Sequence, residues 1–346
     1  MVNFVTPKRV DWVDTAKGIC IILVIIHHVC QFLNVSYPLL EVFKTFRMPL
    51  YFILSGLFFK TYGNIRHFLF KKINNLIVPY IFFYLTLSVC VPVILNALFG
   101  IKVWFFRDYG LDAIKFIFSE EIISNPSIWF LLCLFEVNLI FYIIFSISHI
   151  CKKWHTILLT IFSLFVGFYG IALYLLKINF PFYIDSALSA TPFFLFGWYL
   201  KNKTSYLYKS SLNIKYLFLS FCFFFTIIYF INGDACDIIT NSYGSLIGIL
   251  QLYPYGIIGS VLVFELSRYV GTVRIVSFIG RYSIIVLCIH SYIVQFCGTV
   301  MYSICSYPIV SLFFTTILTV LICFYMISPI KRFLPYFTAQ KNIFNV

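Results

Sequence analysis

Ten apolar stretches constrain this chain more than any other feature. They lie at residues 17–36, 47–60, 76–99, 128–149, 156–176, 186–200, 214–232, 245–266, 283–301 and 308–330. A helix needs about 20 such residues to cross a bilayer. The second and sixth fall short of that and read as partly re-entrant or extended by their neighbours. Hydrophobic residues make up 62% of the 346 and charged residues 11%, more apolar surface than a soluble domain of this length can hide. The expected architecture is all-α: a polytopic integral membrane helical bundle of about ten transmembrane helices. No linker, repeat or low-complexity run divides it, so residues 1–346 read as a single membrane-embedded domain. The first stretch lacks a small-x-small cleavage site and is interrupted by polar residues, so it reads as a retained helix.

Charge supplies the orientation. With the N-terminus in the cytoplasm, 19 of the 25 basic residues fall on the inner side, among them Lys60, Arg66, Lys71, Lys72, Lys152, Lys153, Arg281 and Lys331. Lys44, Arg47, Lys102, Arg107, Lys115 and Lys177 are left outside or near the outer surface. Positive-inside bias of that size sets an N-in, C-in topology in a plasma (inner) membrane. The formal net charge of +13 is thereby explained as a topology signal. Scattered over short loops, it forms no basic domain for nucleic acid. The cysteines show no Cys-x-x-Cys pair and no zinc spacing, so no metal site is expected. Cys236 and Cys305 both fall in outer loops, where a bridge between them is one option.

The first stretch carries two adjacent histidines, His27 and His28, behind a charged approach of Arg9, Asp11, Asp14 and Lys17. An ionisable side chain deep in a membrane helix costs a few kcal/mol and usually persists for a function. At roughly 100° per residue, Asp14, Lys17, His28 and Gln31 share a stripe about 100° wide that excludes His27. Lys17 and His28 stand about 16 Å apart along it. His28 is therefore the candidate. In FRMPLYFILSGLFFK, residues 46–60, Pro49 reads as lying near a helix start. Ser55-Gly56 offers a small spot for close helix approach. FLFKKINNLIVPY, residues 68–80, is a basic approach to the third stretch.

Read in order, these blocks resemble the membrane-bound acyltransferase 3 family, and within it the fucose 4-O-acetylase-like branch. Later pieces fit: IWFLLCLF at 128–135, ATPFFLFGWYL at 190–200 and IGRYSIIVLCIH at 279–290. The resemblance implies an O-acyltransferase, most simply an O-acetyltransferase. It would move acetyl from cytosolic acetyl-CoA, a substrate rather than a resident cofactor, to a hydroxyl of a cell-surface glycan or its lipid-linked precursor. Lys17 and His28 match the family's basic residue eleven positions before an intramembrane histidine. Lys71 and Lys72 correspond loosely to its basic pair. Asn74 and Asn75 stand where many relatives have Arg, and Arg47 where many have His.

The chemistry of such a transfer suits these residue types. Lys17, Lys71, Lys72 and Arg281 are candidates to hold the phosphates of acyl-CoA. His28 is the candidate general base, since imidazole titrates near working pH. Glu136, a carboxylate inside the fourth stretch, is expected to be protonated, paired or in a wet cavity. From there it would orient His28 or bind acceptor hydroxyls. Asp14, Arg47, Ser55 and His290 are supporting or substrate-binding candidates, with Ser55 read as packing rather than nucleophile. A carrier for glycan or lipid, or a non-catalytic partner in polysaccharide synthesis, is the alternative; the lack of repeat symmetry tells against a carrier. Short outer loops, the longest near 100–127 with Trp104 and Tyr109, suit a membrane-embedded acceptor.

Overall fold

The computed structural model describes residues 10–91, 94, 97–98, 127–178, 180–202, 213–231, 246–305 and 307–344. Every regular element among them is helical. The first, α1, spans Asp11–Leu33, with Asp11 and Asp14 in its first turn, where carboxylates complement the positive end of the helix. It stops at Asn34, whose left-handed backbone (φ 53°) turns its N–H onto the carbonyls of Cys30 and Gln31. The short α2, Pro38–Glu41, leads to α3, Lys44–Leu57. The Asn64 side chain caps α4, Ile65–Lys72, by accepting from the His67 N–H. A π-helical turn, Ile73–Ile77, carries α4 into α5, Val78–Phe83, and a second π stretch follows at Tyr84–Cys90. Pro79 has no N–H to donate, and the wider turn before it absorbs the missing rung.

The remaining helices are α6 (Trp129–Ile150), α7 (His155–Leu175), α8 (Ile184–Asn202), α9 (Ile214–Ile231), α10 (Leu246–Val270), α11 (Arg274–Arg281), α12 (Ser283–Ile304) and α13 (Pro308–Phe333). Among the described residues, each of the ten apolar stretches overlaps a helix, although 76–99 is described continuously only to residue 91. Six helical segments among the described residues are long and apolar enough to cross a membrane: Asp11–Leu33, Trp129–Ile150, Lys152–Leu175, Gly248–Val270, Ser283–Ile304 and Pro308–Phe333. The second stretch departs from expectation. Its helix α3 begins at Lys44, so Arg47 lies within the helix and is only 4% exposed. Pro49 is likewise an interior residue of α3. It seats against Gly256 of α10, where a Cβ would meet the ring 2.9 Å away.

Two glycine crossings set the helix arrangement. At the first, a Cβ on Gly18 of α1 would run into the carbonyl of Val276, and one on Gly280 of α11 into the carbonyl of Asp14. At the second, Gly56 of α3 abuts the carbonyl of Phe194, and Gly197 of α8 that of Ile53. Both crossings bring backbone onto backbone, which only small residues allow. The Ser55-Gly56 expectation is met here. Around these crossings α1 packs against α3, α10, α11, α12 and α13, while α8 packs against α3, α6 and α7. Large apolar side chains point outward on the rim. Phe313, Ile317, Leu321 and Tyr325 form an i, i+4 stripe along α13, and Ile157, Ile161 and Phe165 form another on α7. In lipid such faces cost nothing to leave uncovered.

The C-terminal segment folds back under the bundle. Asn74 holds it with three hydrogen bonds, accepting from the N–H groups of Ile343 and Phe344 and donating to the Phe344 carbonyl. Phe337 stacks on Phe82 with ring centroids 4.1 Å apart. Asn74 therefore serves as a tether for the C-terminal segment.

Candidate active site

Two polar centres are strung along α1. The first surrounds His28. Its Nδ1 pairs with Gln31 Oε1 at 2.9 Å, one turn further along the same stripe, and its Nε2 lies 3.0 Å from Ser127 Oγ. Ser127 immediately precedes α6, with only Ile128 between. The same Oγ stands 3.1 Å from His290 Nε2 and 2.8 Å from Ser291 Oγ, both on α12. The rings of His28 and His290 are 5.2 Å apart. Ser127, His290 and Ser291 are buried.

Proton placement follows from the partners. The Val286 carbonyl can only accept, so His290 Nδ1–H donates to it at 2.9 Å and leaves a lone pair on Nε2. With Gln31 Oε1 as its partner, His28 also carries its hydrogen on Nδ1. Two imidazole lone pairs therefore face one serine hydroxyl, which owns a single hydrogen. One more proton satisfies every atom. The imidazolium then donates to Ser127 Oγ, Ser127 donates to the other imidazole, and Ser291 donates to Ser127. In the neutral cluster the Ser127 hydrogen can go to only one of the two imidazoles at a time.

The second centre is a chamber of about 330 Å³ at the other end of the stripe. Lys17 of α1, Lys72 of α4 and Arg281 of α11 line it, with Ser55, Tyr51, Asn75 and Tyr282. The Gly18–Gly280 crossing is what brings Lys17 and Arg281 to one cavity. The Tyr51 hydroxyl donates to the Lys17 carbonyl at 3.2 Å. Burial pushes the Lys72 ammonium down from its ordinary value to about 8, so it is charged at neutral pH and loses its proton just above. Thr338 and Gln340 of the tethered C-terminal segment close one wall. At the inner end stand Phe130, Leu131 and Leu287, within about one helical turn of Ser127 and His290.

The structure thus gathers Lys17, Lys72, Arg281 and Ser55 in one place and His28 with His290 in another. Lys71 is not in the chamber: its ammonium reaches Asn342 at 3.4 Å on the exposed side. Glu136 does not touch His28, whose hydrogen-bond partners among the described residues are Gln31 and Ser127. The neighbours that feel the Glu136 charge are Tyr80 and Cys133, and it feels that of Asp185. Arg47 lies within electrostatic reach of both His27 and His28. Asp14 contributes its backbone to the glycine crossing. Ser127 went unnoticed in the sequence, since a lone serine before an apolar run carries no periodic signal. Loop 100–127 up to residue 126, and Cys236, lie outside the described residues.

The family model that matches this chain is the acyltransferase domain Acyl_transf_3, over residues 10–328. No curated protein and no solved structure matches it.

Proposed function

We propose, from the premise that this chain belongs to the acyltransferase 3 family, that it O-acetylates a glycan with acetyl-CoA as donor. The family and the six apolar helices make it a multi-pass membrane acyltransferase; donor, acceptor and catalytic roles are our reading. The observation that carries the reading is the arrangement along α1, a basic chamber at one end and a proton-accepting histidine pair at the other. CoA presents phosphates and a long flexible arm ending in a thioester. Lys17, Lys72 and Arg281 suit the phosphates, while the arm reaches inward toward His28. His28 removes the proton of the acceptor hydroxyl as its oxygen attacks the acyl carbon. The charge of Arg47 lies close enough to stabilise the oxyanion that develops.

In this reading the chain has ten spans with both termini cytoplasmic, in the inner membrane, and the chamber opens to the cytosol where acetyl-CoA resides. Lys60, Arg66, Lys71, Lys72 and Lys331 gather on that side. Cysteine labelling checks it: positions 60–75 should react from the cytoplasmic side only, and labelling from outside would reverse the assignment.

The acceptor is a hydroxyl of a cell-surface polysaccharide or its lipid-linked precursor, as in the fucose 4-O-acetylase-like branch that the sequence resembles. Glycan analysis of a strain lacking the gene should show one acetyl ester lost and regained on complementation. An unchanged acetylation pattern would refute the glycan assignment.

Donor binding should depend on pH through Lys72. Its ammonium holds phosphate only while protonated, so affinity for CoA should fall as pH rises through about 8. In Lys72→Arg, which stays charged at any working pH, that fall should be blunted. Isothermal titration of CoA at pH 7 and pH 9 compares the two proteins, and identical slopes would remove Lys72 from the donor site.

A further inference from the structure

We infer that Ser127 carries the acyl group as a covalent ester between donor and acceptor, so that transfer runs in two half-reactions. The inference rests on the acyltransfer reading above and adds a nucleophile to it. Three features of the cluster point this way. First, Ser127 Oγ has an imidazole base on each side, at 3.0 Å and 3.1 Å. His290 is itself oriented by a third group, the Val286 carbonyl. A nucleophile, a base and an orienting acceptor within hydrogen-bond reach form the arrangement that activates a hydroxyl. A serine serving only to space two histidines needs no such fixed tautomer.

Second, Ser127 stands at the start of the 22-residue helix α6, which has no side-chain cap among the described residues. The first-turn N–H groups of a helix lack intrahelical partners and form its positive end. An oxyanion on the carbon bonded to Ser127 would form beside them. Third, the chamber is lined by Phe130, Leu131 and Leu287, which lie within about one helical turn of Ser127 or His290 along α6 and α12.

The steps balance. Ser127 Oγ bonds to the acyl carbon of the thioester as the C–S bond breaks. The serine proton passes to His290 Nε2 and then to the departing thiolate, releasing CoA as its thiol. In the second half, the acceptor oxygen bonds to the acyl carbon as the Ser127 C–O bond breaks. The acceptor proton passes to His28 Nε2 and returns to Ser127 Oγ. Each imidazole serves one half, which accounts for two of them around one hydroxyl. Donor and acceptor never need to occupy the site together, which suits a donor from one face of a membrane and an acceptor from the other.

The test uses the purified full chain in lipid nanodiscs with acetyl-CoA labelled in the acetyl group and no glycan. The expected result is one label per chain, on the peptide containing Ser127. Exchange of tritiated CoA into acetyl-CoA should also proceed without acceptor. Ser127→Ala should lose label and exchange while still binding acetyl-CoA. Ser127→Cys should keep the label as a thioester released by neutral hydroxylamine, which guards against a folding defect in the alanine variant. The inference is overturned if wild-type membranes acetylate glycan while the protein shows neither label nor exchange. It is equally overturned if the label maps to His28, or if Ser127→Ala transfers at the wild-type rate. Failure of wild-type membranes to acetylate any glycan from acetyl-CoA would instead bring down the underlying reading, and this one with it.

Discussion

His28→Ala should lower acyl transfer by about 10²–10⁴-fold, the range for losing a positioned general base, with the protein still inserted at its normal level. His27→Ala should keep most of its activity. The two residues are neighbours with rings 5.3 Å apart, so they share helix and depth. Only their partners differ. His28 bonds Gln31 and Ser127, whereas His27 makes no hydrogen bond among the described residues. A packing defect would strike both to a similar degree; loss of a base strikes one. Measured side by side as acetyl incorporated into membrane glycan per unit of protein, equal and mild effects would remove both from catalysis. The proton would then have to be carried by His290 or Glu136.

The second large effect is structural. Gly280→Val should deplete folded protein, because its Cβ meets the Asp14 carbonyl and the Gly18 N–H on α1. Backbone cannot swing aside as a side chain does, so the crossing must open. Overpacking of a tight contact costs about 1–3 kcal/mol, occasionally more, and here the contact is between main chains. Gly63→Ala serves as the comparison. That glycine has φ 82° but nothing within 4 Å, so the change should cost only the left-handed strain, about 1–2 kcal/mol. Thermal unfolding in detergent, followed by loss of monodisperse protein, separates the two. Gly280→Val as stable as Gly63→Ala would mean that α1 and α11 do not meet as described. Any Gly280→Val protein that survives should bind CoA weakly, since Lys17 and Arg281 share the chamber only through this crossing.

Local pattern made part of this protein legible. Apolar runs of near-spanning length mark helix wherever the described residues cover them, because hydropathy is a property of each segment alone. The 100° period put His28 and Gln31 on one face of α1, and they do bond. Ser55-Gly56 marked a close approach, because only a missing side chain permits one. Misreadings arose where a neighbour overrides local preference. Pro49 belongs at a helix start on its own merits, but α3 extends upstream of it and Gly256 leaves room for its ring. Lys71 and Lys72 are equivalent in sequence, yet adjacent helical residues point about 100° apart, and only Lys72 faces the chamber.

The sequence by itself determined that this is a membrane acyltransferase of helices, with a histidine on a polar stripe of its first apolar helix, because each of those statements concerns one segment and its pattern. The tertiary structure alone decided what that histidine works with. Ser127 lies 99 residues from His28 and 163 from His290, and no periodic pattern spans such separations. They meet because glycines let α1 and α11 close to backbone contact, and because α12 packs along α1 and sets His290 opposite His28.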